Sequence, residues 1–386
     1  MSPKNESKEG NVMKKIVILA IVVATVLFAF VACGPKGGVP VAGSAKAEDM
    51  LAMFPKTSLG FVVVDIHRAM QTEPANKMIA DKDNNAQYLD FIKETGIDPQ
   101  KDVYLLAGAV MGDLQQPNPD GAVVVNARFN KDTLLAKLKE KGGEIKESVY
   151  EDITIYEIKE PPKASKTEKI EGEKEGSEEG EEGQAAEENE AQEASTKKPK
   201  TEEKPIYGAF LSDSNIALGT EGGIKSVIDV IKNKTENLFK NDKLAGLIKQ
   251  SKKDSMFWAA MAIPPEAAQK MTAGNPMLSS LDGIHSLLIS FDHKNKAVLA
   301  EIKALTKDEA KNKQIAEFLT GLKALGGMAS TEKPEVGELM NKIVITSGAD
   351  FVSINVDIPE ELLNKLGEDA KKMMPKKEGP KEDIEN

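Results

Sequence analysis

Histidine is the first residue type to consider for chemistry, because its ordinary pKa makes it the commonest general base. The chain of 386 residues contains three histidines, His67, His285 and His293. His67 follows a predicted strand, His285 begins another, and His293 falls in a predicted turn. None of them stands beside a residue that completes a known catalytic motif. We therefore predict that no histidine of this chain is catalytic.

The sequence also lacks the common templates for nucleophiles, nucleotides and zinc. It contains no Gly-x-Ser-x-Gly, no phosphate loop, no Gly-x-Gly-x-x-Gly and no His-Glu-x-x-His. Asp81, Asp83 and Asn85 repeat the first three ligand positions of a calcium loop. Ala86 replaces the glycine of its sharp turn, and Ile92 replaces the closing glutamate. We predict neither a metal site nor a cofactor, and no enzymatic activity.

The single cysteine, Cys33, stands at the end of an uncharged apolar run. That run covers residues 16–32 and follows Lys14 and Lys15. A short basic segment before such a run is typical of a signal peptide. Its seventeen residues are also just long enough for a helix to cross a bilayer. The alternatives are therefore a cleaved signal, or a membrane helix that ends in an inert thiol.

Residues 30–33, Phe-Val-Ala-Cys, resemble the lipobox of bacterial lipoproteins. The resemblance implies that residues 1–32 form a signal peptide, cleaved between Ala32 and Cys33. It also implies that Cys33 then carries a lipid such as palmitate. Residues 33–47 are rich in Gly, Ala and Val and are predicted to form a flexible tether. The expected location is the cell envelope, on an outer-membrane or periplasmic face rather than in the cytoplasm.

Charge is concentrated in one internal segment. The chain has a net charge of −11, which argues against a nucleic-acid partner. Residues 163–204 contain fourteen acidic and eight basic side chains and a single large aliphatic residue. Such a composition predicts a disordered insert, either a neutral spacer or an acidic segment that recruits a basic partner or divalent cations. Residues 372–386 are predicted to be a charged, disordered tail.

The remaining sequence predicts an α+β fold of antiparallel sheets with packed amphipathic helices. Residues 153–158 and 206–211 are predicted to pair as antiparallel strands, so that the insert is an enlarged hairpin loop. Further strand-like runs are joined by short polar turns, and helices begin at Thr306, Asn130, Asn241 and Pro359.

Two lobes are predicted, residues 48–162 and 205–371. A weak repeat relates a helix at 88–96 and its following strand to a helix at 244–251 and its following strand. The two lobes are then related copies. The alternative is a single architecture with coincidental patterning.

Several patterns resemble large families of uncharacterised bacterial envelope proteins, domains of unknown function. These patterns are Phe54-Pro55 with the strand at 58–65, Gly-Ile-Asp-Pro at 96–99, and Ser-Asn-Ile-Ala-Leu-Gly-Thr at 214–220. The resemblance spans residues 50 to 365 and implies no catalytic residues.

One candidate ligand site is rich in methionine and contains the only tryptophan. Its residues are Met256, Trp258, Met261, Met271 and Met277. Flexible thioethers beside an indole can line a groove for a lipid, a peptide or another apolar ligand. The alternative is that these side chains fill gaps in the core.

The leading hypothesis for function is a lipid-anchored, non-enzymatic envelope protein that binds another envelope component or an apolar ligand. It depends on Cys33, on the tether and on the missing catalytic motifs. The alternative is a hydrolase-like enzyme with an unrecognised carboxylate site. Carboxylates with raised pKa values in a cleft would favour that alternative.

Overall fold

A computed structural model describes residues 45–112, 119–140, 144–159, 205–272, 281, 283–328 and 334–373. Within these ranges the side chains of residues 82–84, 270–272 and 368–373 are not described. The predicted signal peptide, the acidic insert and most of the tether and tail lie outside the described residues.

The described residues form twelve strands and twelve α-helices. The first part of the chain contains α1 (Ala47–Leu51), β1 (Ser58–Asp65), α2 (Ile66–Ala69), α3 (Glu73–Ala80), α4 (Lys82–Thr95), α5 (Pro99–Asp102), β2 (Val103–Met111), β3 (Asp120–Ala127), α6 (Lys131–Glu140), β4 (Glu144–Tyr150) and β5 (Ile153–Lys159). After the insert come β6 (Ile206–Ser212), β7 (Asn215–Gly219), α7 (Glu221–Ile231), a 3-10 turn (Leu238–Lys240), α8 (Asp242–Gln250), β8 (Phe257–Ala262), α9 (Pro265–Thr272), β9 (Ser286–Lys294), β10 (Ala297–Leu305), α10 (Glu309–Met328), α11 (Pro334–Asn341), β11 (Ile343–Ser347), β12 (Phe351–Pro359) and α12 (Glu360–Met373).

All twelve described strands belong to one antiparallel sheet. The order across it is β11-β12-β10-β9-β8-β1-β2-β3-β7-β6-β5-β4. The predicted hairpins β6–β7, β9–β10 and β11–β12 are confirmed by their pairing. The fold is therefore α+β, as the sequence predicted, and strands from both predicted lobes lie in the same sheet.

The strands on either side of the acidic insert pair with each other. Ile158 of β5 lies opposite Ile206 of β6, and Ile155 lies opposite Ala209. This confirms that the insert interrupts a hairpin. The pairing explains why a long segment is tolerated at this position, since closure entropy grows only slowly with loop length.

The order of the elements repeats around the contact between β1 and β8. Each half begins with a helix, α1 or α8, and continues with a three-stranded meander, β1–β2–β3 or β8–β9–β10. Phe61 lies opposite Ala260, and Val63 opposite Trp258, where these two parts of the sheet meet. The repeat predicted from the sequence relates the helix before β2 to the helix before β8, and it stays a prediction.

One face of the sheet, the core face, carries the main hydrophobic core. Phe61, Val63 and Trp258 project from its central strands, and the rings of Phe61 and Trp258 meet edge to face with centroids 5.3 Å apart. Three helices, α1, α7 and α8, bury apolar stripes against this face: Met50, Leu51, Ile224, Val227, Ile228, Leu244, Leu247 and Ile248. Asn241 caps α8, as predicted, by accepting a hydrogen bond from the backbone N–H of Leu244.

The opposite face, the outer face, is covered by helices at its β11 end. Val344 projects to the core side of β11 and is 53% exposed, whereas Ile343 and Ile345 on the other side are partly buried. Because α10 packs against β11 and β12, it covers the outer face there. Thr306 was predicted to cap this helix, but Asp308 does so, accepting from the N–H of Ala310.

Among the described helices, none combines the length and the apolar composition needed to cross a bilayer.

Candidate functional site

The three histidines serve separate local contacts. His67, in α2, lies beside Gln71 and the ring of Tyr104. The imidazole of His285 is 3.0 Å from the hydroxyl of Ser286. His293 lies in β9 rather than in the predicted turn, and its Nε2 is 2.6 Å from Oε1 of Glu360 at the start of α12. The contact joins a strand end to a helix.

The partial calcium-loop pattern does not fall in a loop. Asp81 ends α3, and the next two positions of the pattern lie within α4. The side-chain amide of Asn85 donates to the backbone carbonyl of Ile79. No group of three or more potential metal-binding side chains occurs among the residues that the structure describes.

The predicted methionine and tryptophan groove is divided between the two faces of β8. Trp258 is 1% exposed and belongs to the main core on the core face. Met261 lies three positions further, so the period of two in a strand places it on the outer face, where it is 38% exposed. Met256 precedes the strand and is buried. These two faces cannot contribute to one groove.

The other predicted site residues cannot be placed in this way. Ala32, Cys33 and Met277 lie outside the described residues, as does the side chain of Met271.

The outer face carries a continuous apolar row across seven strands, which we call the apolar strip. From β7 to β10 its residues lie side by side in the pairing register: Leu218, Val123, Gly108, Val62, Ala259, Ile289 and Ile302. Six spacings between neighbouring strands give the strip a length of about 29 Å. Its exposed side chains include Leu218 at 39%, Ile289 at 38% and Ile302 at 45%.

The middle of the apolar strip is lined by smaller residues than its ends. A Cβ atom on Gly108 would lie 3.1 Å from Val62 and 3.2 Å from Val123, so those two side chains already occupy the space. Ala259 continues this shallow floor toward Ile289. Met261, on the neighbouring row, adds a flexible thioether at the edge. The result is a shallow apolar trough with larger aliphatic side chains at both ends.

Exposed aliphatic residues on adjacent strands are informative because soluble surfaces seldom join them into a patch. The signal was present in the sequence of β9, where Leu287, Ile289 and Phe291 alternate with Ser290 and Asp292. Alternation of this kind predicts that the side of the strand carrying Leu287, Ile289 and Phe291 is covered by other apolar groups.

A second concavity lies on the core face, beyond the reach of α7 and α8. It has a volume of about 310 Å³, and its mainly apolar walls come from β9, β10, β11 and β12 and from the loop after α8. Asp292, on this wall, accepts hydrogen bonds from Arg68 and Lys294. Burial opposes the charged form of Asp292, but the two cations outweigh it and hold the pKa of this carboxyl below its ordinary value. Asp292 is thus an ionised structural partner and does not have the raised pKa expected of a general acid.

No protein-family model matches the sequence, and no characterised protein is similar to it in sequence. Solved structures of TP0453 are similar to part of the fold. Its crystal form I has a TM-score of 0.39 and 9% identity, over 85% of this chain and 99% of that one. Its crystal form III has a TM-score of 0.41 and 9% identity, over 83% and 98%. Neither value supports the transfer of a function.

The fold and the apolar strip define the chain as an α+β protein with one continuous antiparallel sheet, whose outer face is apolar and partly exposed.

Proposed function

We propose that this protein is a lipid-anchored, non-enzymatic binding protein of the cell envelope, and that the apolar strip binds the acyl chain of a lipid-like ligand. The observation that carries the proposal is the exposure of Leu218, Ile289 and Ile302 in one row of paired strands. An exposed aliphatic surface loses contact with water when an apolar ligand covers it, and each buried CH₂ of the ligand contributes about 0.8 kcal/mol.

The shape of the apolar strip favours an extended chain over a compact ligand. The strip is about 29 Å long, and its floor is formed by small side chains between two larger ends. Backbone polar groups along it are already paired within the sheet, so the trough offers few hydrogen bonds to a polar ligand. These properties match a flexible hydrocarbon chain.

The lipid anchor is the second part of the proposal and depends on the lipobox resemblance at Cys33. Replacing Cys33 with Ser should abolish acylation and leave the precursor uncleaved, since the chain has no other thiol. Incorporation of labelled palmitate measures this directly. Equal labelling of the variant and the parent would contradict the anchor without affecting the binding site.

Ligand binding can be tested with a fluorescent fatty acid, cis-parinaric acid. The double variant Ile289→Ser with Ile302→Ser should weaken saturable binding at least tenfold, because it replaces two contacts at one end of the strip. The matched control is Val149→Ser with Leu325→Ser. These two residues are also exposed aliphatics, 74% and 65%, but lie on β4 and α10 away from the strip.

The control should bind the probe like the parent protein. Absence of saturable binding by the parent would reject the acyl-chain site, and a partner protein captured through the same residues would then replace the ligand in the proposal. Equal weakening by both double variants would show that binding is unspecific.

A further inference from the structure

The most basic part of the chain is a helical segment on the core face. Residues 221–253, called here the basic layer, comprise α7, the 3-10 turn, α8 and the start of the following loop. The segment contains eight lysines and four acidic residues, a net charge of +4 in a chain whose total is −11. A segment of opposite sign to the rest of a protein marks an electrostatic footprint for an anionic partner.

Helices α7 and α8 direct their own lysines, Lys225, Lys243 and Lys249, away from the sheet. In α7 and α8 the apolar stripes containing Ile228 and Leu247 face the core, so the polar sides face solvent. Four lysines of the basic layer are exposed and form no ion pair with another described residue: Lys232, Lys240, Lys243 and Lys249. None of these four ammonium groups is therefore in direct contact with a described carboxylate.

The chain enters the fold beside the basic layer. Helix α1 packs against the same core as α8, and Glu48 of α1 forms a 3.0 Å ion pair with Lys253. Twelve peptide units link Ala45 to Cys33, and they span at most about 40 Å when fully extended. A lipid attached to Cys33 thus brings a bilayer within reach of the basic layer.

We propose that the basic layer rests on an anionic lipid surface and orients the anchored protein on its membrane. The inference rests on the proposed acylation of Cys33 but uses a different part of the molecule. A lipid anchor fixes the distance of a protein from a bilayer but not its orientation, and a cluster of lysines near an anchor is a common second contact with anionic headgroups. Since the apolar strip is on the opposite face of the sheet, this orientation points it away from the bilayer.

The test uses the acylated protein on vesicles of phosphatidylcholine, with or without phosphatidylglycerol. Lysines are labelled with an amine-reactive ester and quantified by mass spectrometry. On the anionic vesicles at low salt, labelling should slow at least about fivefold at four positions: Lys232, Lys240, Lys243 and Lys249. Labelling of Lys93, Lys307 and Lys313, on α4 and around the start of α10, should not change. Molar salt should remove the protection, because it screens the lysines from the lipid phosphates.

A charge-matched pair of variants tests whether the basic layer causes the orientation. The first variant replaces the four lysines of the layer that form no ion pair with Gln. The second replaces Lys77, Lys93, Lys307 and Lys313 with Gln. In the first, anionic vesicles should no longer protect the remaining Lys252 and Lys253. In the second, that protection should persist, although both variants change the net charge by the same amount.

Each outcome assigns the failure to one claim. If the lysines of the acylated chain are labelled at equal rates on both kinds of vesicle, membrane contact by the basic layer is rejected and the proposed anchor is not affected. A chain whose N-terminal peptide carries no lipid by mass contradicts the anchor. If anionic vesicles still protect the lysines of that unacylated chain, membrane contact by the basic layer is supported. If they do not protect these lysines, that contact is rejected. Protection on neutral vesicles would mean that another anion, such as the acidic segment 163–204, covers the lysines.

Discussion

The core face and the outer face of the central strands both carry apolar side chains but differ in what covers them. Trp258 and Val63 on the core face are at most 1% exposed, beneath the layer of α1, α7 and α8. Ile289 and Ile302 on the outer face are 38% and 45% exposed. The strands alone do not decide this difference. It arises because the amphipathic helices pack on one side of the centre, and on the other side only toward the ends.

The comparison separates residues that stabilise the fold from residues that are available for binding. A buried apolar side chain stabilises the fold, so truncating it sharply lowers the free energy of unfolding. A half-exposed side chain contributes little to folding, so its apolar character calls for another reason. Substitutions on the two faces should therefore have very different effects on stability.

The largest effect is expected at Trp258. Trp258→Ala should lower the free energy of unfolding by about 3 to 5 kcal/mol, because it removes the indole that packs against Phe61 in the centre of the core. Urea denaturation followed by circular dichroism measures the change. Met261→Ala, three positions along the same strand, is the control and should cost about 1 kcal/mol or less. A similar loss in both would mean that the two faces of β8 are equally covered.

The next largest effect concerns the polar end of the core face. Asp292→Asn should cost about 1 to 3 kcal/mol at neutral pH, because the side chain is 5% exposed and accepts bonds from Arg68 and Lys294. Arg68 is 35% exposed and can regain water, which limits the loss.

The same substitution has a defined pH dependence. Since the pKa of Asp292 is lowered in the folded protein, the unfolded chain binds the proton first on acidification. The stability from this carboxylate is complete above about pH 4, the ordinary value, and declines as the pH falls through the lowered one. The difference between parent and Asp292→Asn should therefore shrink in urea titrations as the pH falls below the ordinary carboxyl value. A constant difference would contradict the role of the charge.

Much of the sheet could be predicted from local sequence, but the arrangement of its faces could not. Strand runs and polar turns identified the hairpins, and the strands beside the acidic segment identified β5–β6. The contact between His293 and Glu360 joins residues on separate elements, and no local pattern predicts it.

The candidate site was only partly accessible to sequence reasoning. Trp258 and Met261 are three positions apart, and an odd offset already implied that they lie on opposite faces of a strand. The apolar strip could not be assembled from the sequence, because its seven residues come from seven strands whose order in the sheet is not their order in the chain.

A smaller effect is expected at the hairpin that contains the acidic insert. Deleting residues 163–204 and joining the flanks through a short Gly-containing turn should leave the melting temperature unchanged or slightly higher. The paired strands β5 and β6 are retained, and shortening the loop recovers at most about 2 kcal/mol of closure entropy. Thermal unfolding by calorimetry checks this. Loss of a cooperative transition would show that the deleted segment contributes to the fold.

The smallest effect is expected at Ile302, in the exposed part of the apolar strip. Ile302→Thr should change the free energy of unfolding by less than about 1 kcal/mol, because water already reaches this side chain and solvates the new hydroxyl. The matched substitution Ile228→Thr, on the buried side of α7, buries the hydroxyl among aliphatic residues and should cost at least about 2 kcal/mol. Urea denaturation of both variants measures the contrast. If Ile302→Thr were as costly as Ile228→Thr, the outer face would be packed in the free protein and unavailable to a ligand.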